Sequence, residues 1–268
     1  MNLHELTETA VISALRGGGR IMEIYGDPEA DFEVERKADN SPLTIADRRA
    51  NDTICDMLAA TGLPILSEEI AAAPYETRAG WERLWIVDPL DGTKEFIGRR
   101  DDFTVNIALV ERGVPVAGVV YLPVFGVLYI AMRGEGSFRI DGVKPDIAVS
   151  LDELTGRGLR LPLPPEERPY TCVASVSHLN DDTRRFIDRL KAAHPDLTTV
   201  SRGSSIKICL VAEGKADIYP RLAPTMEWDT AAGHAVVLMA GRDIVRADDM
   251  TPLTYNKRDL HNPHFIVE

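Results

Sequence analysis

Residues 103–140 carry three strand patterns in succession, and they constrain the fold of this chain more than any other segment. The apolar stretches F-T-V-N-I-A-L-V-E, V-P-V-A-G-V-V-Y and G-V-L-Y-I-A-M are separated only by Arg112-Gly113 and by Pro123. Short β-branched runs divided by tight turns are typical of an antiparallel meander. A further apolar strand is predicted at 83–88, leading to Asp88.

The segments around this sheet predict helices and a second α/β part. Residues 3–25 have helical periodicity, and the Gly17-Gly18-Gly19 run within them indicates a kink or close packing. A second helix is predicted at 45–61. After residue 170, strands alternate with helices, which is typical of an α/β layer. The helices predicted there are 181–193, 204–213 and 228–240.

The stretch 141–170 is rich in proline, glycine and charge, and it predicts the boundary between two halves. We therefore expect an N-terminal α+β part, residues 1–145, with most of the candidate metal ligands. A C-terminal α/β part, residues 146–268, should supply the remainder of the site. The fold class predicted from these patterns is mixed α/β, with helices and sheets in layers.

The composition of the chain limits its function. The 268 residues are 44% hydrophobic and 27% charged, values typical of a globular protein. The net charge of −12 argues against a nucleic-acid polymer as partner, because such binding needs a basic face. A small phosphorylated ligand remains compatible with this charge, since a bound metal ion can reverse the local potential.

The N-terminus and the cysteines predict a cytoplasmic protein. The first residues have no signal-peptide core, and no apolar run approaches the roughly 20 residues that span a bilayer. Three cysteines occur singly, without a C-x-x-C pair, which favours buried reduced thiols over a disulfide or a zinc site. They are Cys55, Cys172 and Cys209.

Three acidic motifs lie where apolar strands end or helices begin. They are S-E-E at 67–69, D-P-L-D-G-T at 88–93 and W-D at 228–229. Carboxylates in apolar surroundings are costly unless cations pair with them. Asp88 and Asp91, which we expect on a Pro-fixed turn, can face one point. Each motif alone could be a helix cap or a solvated turn, but the three together indicate a site for Mg²⁺, which prefers oxygen ligands.

The residues after these carboxylates suit a phosphate group. Gly92 allows the backbone to approach a phosphate closely, and a helix that begins near Thr93 supplies free N–H groups. Motifs of other hydrolases are absent from the sequence, including H-E-x-x-H, G-x-S-x-G and the P-loop pattern. The sequence therefore indicates phosphate chemistry that depends on a divalent cation.

The acidic motifs, with G-S-S-I-K-I-C-L-V-A-E-G-K-A-D-I-Y-P-R and E-W-D-T-A-A-G-H-A-V, resemble the inositol monophosphatase superfamily of Mg²⁺-dependent, lithium-sensitive phosphatases. Most of the chain takes part in this resemblance. Lys94-Glu95 follows the D-G-T motif where inositol phosphatases typically have Thr-Asn, and this form is similar to the CysQ-like branch of 3′(2′),5′-bisphosphate nucleotidases. The resemblance implies the five-layer αβαβα sugar-phosphatase fold. The Gly17–Gly19 run and the P-L-P-P segment near 162–165 depart from the family pattern.

The resemblance implies a site for two Mg²⁺ ions. One ion would be held by Glu68, Asp88 and the backbone carbonyl of Leu90. The other would be held by Asp88, Asp91 and Asp229, so that Asp88 bridges the pair. A third, weaker Mg²⁺ is implied near Glu68.

The resemblance also implies how the attacking water is oriented. That water would lie next to the Glu68 metal and be positioned by Thr93. The T-I-A-D segment places Asp47 where family members have an acidic partner for this threonine. An ordinary acid in the first turn of a helix is the alternative for Asp47.

A second phosphate on the ligand would need basic partners. Ser204 and Lys207 are predicted to lie one turn apart at a helix start, so they can serve one anion. Arg221 follows a predicted strand end and can bind a phosphate with two hydrogen bonds. The alternative for Lys207 and Arg221 is that they are solvated or ion-paired surface residues. The resemblance adds His178 of the V-S-H segment, for which a capping or surface role is the alternative. Residues of the metal site complete the expected substrate contacts: Glu68, Leu90, Asp91, Gly92, Thr93 and Asp229.

The resemblance implies hydrolysis of the 3′-phosphate of adenosine 3′,5′-bisphosphate to AMP and phosphate. An inositol-1-phosphate or fructose-bisphosphate phosphatase with the same metal site is one alternative. A non-catalytic sensor of a phosphorylated ligand is another. The expected partner is a small phosphorylated molecule, with a monomer or homodimer as the assembly. Relatives that are peripheral on the inner membrane leave that location open beside the cytoplasm.

Overall fold

The helices and strands refer to residues 1–27, 29–36, 42–145, 150–175 and 180–268, which a computed structural model describes. The helices are α1 (Leu3–Tyr25), α2 (Ile45–Ala59), α3 (Tyr75–Arg78), α4 (Thr93–Ile97), α5 (Leu151–Arg157), α6 (Asp181–Ala193), α7 (Ile206–Ala212) and α8 (Ala231–Met239). The strands are β1 (Glu35–Arg36), β2 (Pro42–Leu43), β3 (Ile65–Ser67), β4 (Arg83–Asp91), β5 (Thr104–Glu111), β6 (Val114–Leu122), β7 (Val127–Met132), β8 (Gly136–Ile140), β9 (Leu159–Arg160), β10 (Thr171–Ser175), β11 (Thr198–Arg202), β12 (Tyr219–Arg221), β13 (Ile244–Arg246) and β14 (Phe265–Val267). A single 3₁₀ turn covers Glu227–Asp229.

A seven-stranded sheet, in the order β3-β4-β5-β6-β7-β8-β9, is the centre of the molecule. The strands β5, β6 and β7 form the antiparallel meander that the sequence predicts, and β8 adds a fourth antiparallel strand. Only β3 and β4 run parallel in this sheet. Helices α1 and α2 pack against one face, and α8 packs against β5, β6 and β7 on the other. Nearly every residue of β5 and β6 is buried because both faces of the sheet are covered.

The helix α1 continues without interruption through its three glycines. Of the two explanations for this run, close packing is confirmed and a kink is not found. A Cβ atom on Gly17 would lie 2.6 Å from the side chain of Ile54, and one on Gly18 would lie 2.5 Å from the ring of Tyr121. Since Tyr121 is fully buried, these glycines let α1 lie close to both α2 and β6.

The second half of the chain forms the remaining layers. Strands β10 and β11 form a parallel pair, and β12, β14 and β13 form an antiparallel sheet. Helix α7 packs against α8 on one side and against β10, β11 and β12 on the other. Helix α6 packs on the outer side, where Ile187 joins the cluster of Cys172 and Ile218. The prediction of a mixed α/β fold with layered helices and sheets is therefore confirmed.

One hydrophobic core joins residues from both halves. Ile86 and Val120 of the large sheet belong to the same buried cluster as Ile208 of α7 and Val236 of α8. The division into parts at 145/146 stays a prediction, because it falls beside residues 146–149, which are not described. Cys172 and Cys209 are buried, as predicted, whereas Cys55 is only partly buried. No helix of the described ranges is long and apolar enough to cross a membrane.

Some predicted elements begin or end elsewhere. The strand predicted at 83–88 extends to Asp91, so the D-P-L-D segment is part of β4 and not a turn. The strand predicted at 32–36 is reduced to Glu35–Arg36. The segment 141–170 contains α5 and β9, which its composition did not indicate. The helix predicted at 204–213 begins only at Ile206, after the N-cap residue Ser205.

Candidate active site

A cavity of about 280 Å³ lies beside the C-terminal end of β4 and is bordered by α4, α7 and β12. It brings together almost all the residues that the sequence singled out. They are Glu68, Asp88, Leu90, Asp91, Gly92, Thr93, Ser204, Lys207, Arg221 and Asp229. Asp47 lies behind this wall and contacts Thr93. His178 falls outside the described residues, so its role stays a prediction.

A bulge in β4 explains how Asp88 and Asp91 reach the same cavity. Residues three apart on a regular strand point to opposite faces. Here Asp88 pairs with Asn106 and Asp91 pairs with Thr104, so three steps along β4 match two along β5. The extra residue restores both side chains to one side. The bulge, rather than a Pro-fixed turn, therefore directs the two carboxylates to one point.

Three carboxylates converge at this end of the cavity, and we call Asp88, Asp91 and Asp229 the acidic cluster. One oxygen from each lies within 4.8 Å of the others. Glu68 is not a member of this group but lines the same cavity. Its charge is close enough to raise the pKa of both Asp88 and Asp229.

Burial makes the acidic cluster unfavourable without a cation. Asp88 is 1% exposed, and its pKa is raised well above the usual range, first by burial and then by the charges of Glu68 and Asp91. Burial is also the main reason that the pKa of Asp229 rises to about 8, with Asp91 as the next cause. A hydrogen bond from the Met226 N–H, at 2.7 Å, opposes this rise.

Two residues that the sequence did not single out hold Asp91 in place. The backbone N–H and the hydroxyl of Ser205 lie 2.7 and 2.9 Å from Asp91 Oδ2, and the amide of Asn106 donates to the same oxygen at 3.2 Å. The Ser205 hydroxyl also lies 3.0 Å from the carbonyl oxygen of Asp229. The only sequence signal for Asn106 was a polar residue inside the apolar run T-V-N-I-A.

The acidic cluster leaves oxygens available for a metal ion. The Leu90 N–H donates to Asp88 Oδ1 at 3.0 Å. Within the described residues, the buried Oδ2 of Asp88 receives no hydrogen bond. Asp91 and Asp229 likewise receive their hydrogen bonds on Oδ2, as far as the described residues show. An oxygen-only donor set with dense negative charge fits a hard divalent cation such as Mg²⁺.

The raised pKa values predict that Mg²⁺ stabilises the protein more at high pH. The native metal-free protein retains protons on Asp88 and Asp229 that the unfolded chain has lost, so the contribution of these two groups to stability is greatest at low pH and falls as pH rises towards about 8. Because Mg²⁺ must displace these protons, the rise in Tm that Mg²⁺ causes should be larger at about pH 8.5 than at about pH 6. Thermal unfolding with and without Mg²⁺ measures this, and equal increases at both pH values would contradict it.

Thr93 and Asp47 form a hydrogen-bonded pair at the edge of the acidic cluster. The Thr93 hydroxyl lies 3.2 Å from Asp47 Oδ1 and 3.3 Å from the Leu90 carbonyl oxygen. Asp47 is 1% exposed, and its other oxygen accepts hydrogen bonds from the Thr44 backbone N–H and hydroxyl. Because Asp47 and Leu90 offer only acceptors, Thr93 donates inward and can accept a hydrogen bond from a molecule in the cavity.

Lys207 and Arg221 form a basic cluster in the same cavity. Lys207 is 6% exposed, and burial lowers its pKa to about 8, an effect that the charge of Asp91 opposes. Its Nζ donates to the Ser204 carbonyl oxygen at 2.6 Å. The prediction that Ser204 and Lys207 share a helical turn is wrong, since Ser204 precedes the helix with a φ of 42°. Two further cations, Lys94 and Arg202, also line the cavity.

Buried atoms near the basic cluster lack partners. The Ser204 hydroxyl and Arg221 Nε are buried and make no hydrogen bond within the described residues. An unpaired buried donor costs about 1–3 kcal/mol, so a native structure normally supplies a partner. An anionic ligand in the cavity would supply it here.

Gly92 joins β4 to α4 with a φ of 99°, in the region that favours glycine. A Cβ atom there would lie 3.1 Å from the Asp102 carbonyl oxygen and 3.3 Å from Phe103. Both the backbone conformation and this close approach therefore require glycine between the metal-ligand candidates and Thr93.

Comparisons with known proteins agree with this geometry. The chain belongs to the inositol monophosphatase family, whose pattern matches residues 2–266. The 3′(2′),5′-bisphosphate nucleotidase CysQ of Salmonella typhimurium is 43% identical over 257 residues, which cover 95% of this chain and 96% of that protein.

Solved structures give the same result. The crystal structure of CysQ from Bacteroides thetaiotaomicron, a bacterial member of this family, has a TM-score of 0.92 and 52% identity, and covers 99% of this chain and 97% of its own. The extragenic suppressor protein suhB from Bartonella henselae has a TM-score of 0.70 at 24% identity, which shows the shared fold alone. The family and the CysQ-like form of the sequence are thus both confirmed.

Proposed function

We propose that this protein is a Mg²⁺-dependent phosphatase that hydrolyses the 3′-phosphate of adenosine 3′,5′-bisphosphate to AMP and inorganic phosphate. The observation that carries the proposal is one cavity with an acidic cluster and a basic cluster. Within the described residues, buried polar atoms without hydrogen-bond partners lie beside both clusters, at Asp88, Ser204 and Arg221. The similarity to CysQ nucleotidases supports the same substrate.

In this proposal Glu68, Asp88 and the Leu90 carbonyl would hold one Mg²⁺, and Asp88, Asp91 and Asp229 would hold another. When bound, Mg²⁺ supplies positive charge for the phosphoryl oxygens and makes a water molecule more nucleophilic. The metal dependence is typical of the family. The number of ions, two or three for each chain, is part of the proposal.

Thr93 orients the attacking water. The Thr93 hydroxyl donates to Asp47 or to the Leu90 carbonyl, so its lone pairs can accept a hydrogen bond from a water O–H in the cavity. Asp47 keeps this orientation since its second oxygen is held by Thr44. The pair therefore acts by positioning, which is the main contribution that proteins make to phosphoryl transfer.

The basic cluster favours a ligand with a second phosphate. Lys207 donates one N–H to the Ser204 carbonyl and has two further donors, while the buried Nε of Arg221 has no partner in the part of the chain that the structure describes. An inositol monophosphate bound at the acidic cluster would leave these groups unpaired. A 3′,5′-bisphosphate would place its second phosphate among them, which gives a physical basis for preferring the nucleotide.

Phosphate release from adenosine 3′,5′-bisphosphate, inositol 1-phosphate and fructose bisphosphate, with and without Mg²⁺, tests the function. We expect Mg²⁺-dependent release with kcat/KM highest for the nucleotide. Faster turnover of inositol 1-phosphate or fructose bisphosphate would show that this compound, and not the nucleotide, is the preferred substrate. Tight nucleotide binding with no release from any substrate would instead support a non-catalytic sensor. A cytoplasmic location and a monomeric or homodimeric assembly stay predictions.

A further inference from the structure

We propose that Glu227 is a positioning residue for the metal site, acting through a C-terminal segment, residues 255–262, that holds the Asp229 turn from behind. The inference rests on the metal site of the proposed function. It assigns a role to a buried carboxylate that neither lines the cavity nor belongs to the acidic cluster.

Glu227 is fully buried and completely engaged by the C-terminal segment. Its Oε2 accepts the Asn256 N–H at 2.6 Å, and its Oε1 accepts the Lys257 N–H at 2.9 Å and Lys257 Nζ at 2.6 Å. The Glu227 N–H in turn donates to the Leu260 carbonyl at 3.0 Å. The Glu227 side chain thus fixes the C-terminal segment directly beside Trp228 and Asp229.

Asn262 extends the same attachment to the hydrogen bond that orients Asp229. Its side-chain amide donates to the Met226 carbonyl at 2.6 Å and lies 3.0 Å from the Thr230 hydroxyl. The Met226 N–H donates to Asp229 Oδ2 at 2.7 Å, which leaves Oδ1 for a ligand. The turn that carries Asp229 is therefore held on both of its sides, at Met226 and at Thr230.

The C-terminal segment also contacts helix α3. The Arg78 guanidinium donates to Asn256 Oδ1 at 2.8 Å and to the Lys257 carbonyl at 3.1 Å, and the Asn256 amide returns a hydrogen bond to the Arg78 carbonyl. Arg78 ends α3, which follows Glu68 in the chain. The segment consequently connects α3 with the turn that carries Asp229.

This connection has a physical purpose because the acidic cluster repels itself. One oxygen from each of Asp88, Asp91 and Asp229 lies within 4.8 Å of the others, and repulsion between such like charges would move the Asp229 turn away. Hydrogen bonds from outside the cavity oppose this movement. Residues that hold metal ligands in this way typically contribute about 10–100-fold to metal affinity.

Calorimetric titration of Mg²⁺ into the free protein, without substrate, tests the inference. We expect Glu227→Gln to weaken Mg²⁺ binding about 10–100-fold, because the amide nitrogen would face backbone donors. Lys257→Met removes one of the three hydrogen bonds to Glu227, so its effect should be smaller. In kinetics, saturating Mg²⁺ should restore kcat of Glu227→Gln with substrate KM unchanged.

Glu213→Gln is the matched control. Glu213 is 1% exposed and pairs with Arg139 at 2.9 Å, but it does not line the cavity. We expect this variant to lose stability and keep the Mg²⁺ affinity of the wild type.

Unchanged Mg²⁺ affinity in a folded Glu227→Gln variant would overturn the inference. Were that variant unfolded, wild-type affinity in Lys257→Met would do so. Equal weakening by Glu213→Gln would also overturn it, since the effect would then follow stability. Absence of Mg²⁺ binding by the wild type would instead refute the proposed function itself.

Discussion

The Asp88→Asn variant should lose at least about 10³-fold in kcat, since metal stabilisation of the transition state is worth several kcal/mol and each factor of ten corresponds to about 1.4 kcal/mol. Asp88 is the carboxylate proposed to bridge the two ions, and its buried Oδ2 has no other partner in the described part of the chain. Steady-state phosphate release at saturating Mg²⁺ measures the loss.

The same substitution should not damage the metal-free fold. Burial and neighbouring carboxylates raise the pKa of Asp88, so a neutral amide removes an unfavourable charge. We expect a Tm in metal-free buffer near pH 8 at least as high as that of the wild type, with most of the increase caused by Mg²⁺ lost. Asp152→Asn, at an 84% exposed side chain, is the control. Activity within tenfold of the wild type in Asp88→Asn would rule out the bridging role.

The Lys207→Met variant should separate substrate recognition from metal chemistry. Hydrogen bonds to charged groups contribute about 1.5–3 kcal/mol, so kcat/KM for adenosine 3′,5′-bisphosphate should fall about 10–100-fold, mainly through KM. Turnover of inositol 1-phosphate, which has no second phosphate for the basic cluster, should change little. Kinetics on both substrates measure the difference.

Stability should change in the opposite direction. Burial lowers the pKa of Lys207 to about 8, so replacing the ammonium by an apolar side chain of similar length should maintain or raise Tm. Lys191→Met, at a 57% exposed lysine of α6, should affect neither quantity. Equal losses for both substrates in Lys207→Met would place this lysine at the metal site rather than at a second phosphate.

The acidic cluster could be predicted from the sequence because its members lie in short motifs. Asp88 and Asp91 are three residues apart, and the residue types alone indicate a hard cation. Their shared orientation could not be derived in the same way, since it depends on the bulge against β5. The sequence suggested a turn, whereas pairing with Asn106 and Thr104 continues the strand.

Contacts between distant residues were beyond reach of the sequence. Ser205 is 114 residues from Asp91, yet it donates two hydrogen bonds to that carboxylate. Helix α7 begins later than predicted, because Ser204, which precedes the N-cap residue Ser205, has a positive φ. Periodicity predicted the helix, but its start coincides with the tertiary contact between Ser205 and Asp91.

The glycines of α1 show a similar limit. Local propensity counts three consecutive glycines against a helix. The packing of Gly18 on the Tyr121 ring favours it, because a larger residue would not fit. A pattern that departs from its family can therefore reflect a close contact rather than a break.

Ser205 also marks a point where local unfolding would disrupt the cavity. Its hydroxyl contacts Asp91 from the first half of the chain and the Asp229 backbone from the second, so it is one of the contacts between the two halves. Local opening there would displace the metal-ligand candidate Asp91 and the neighbouring Ser204 together. Ligands that bind only the closed form would suppress such opening in proportion to their concentration, so a cell rich in substrate would also protect this protein from proteolysis.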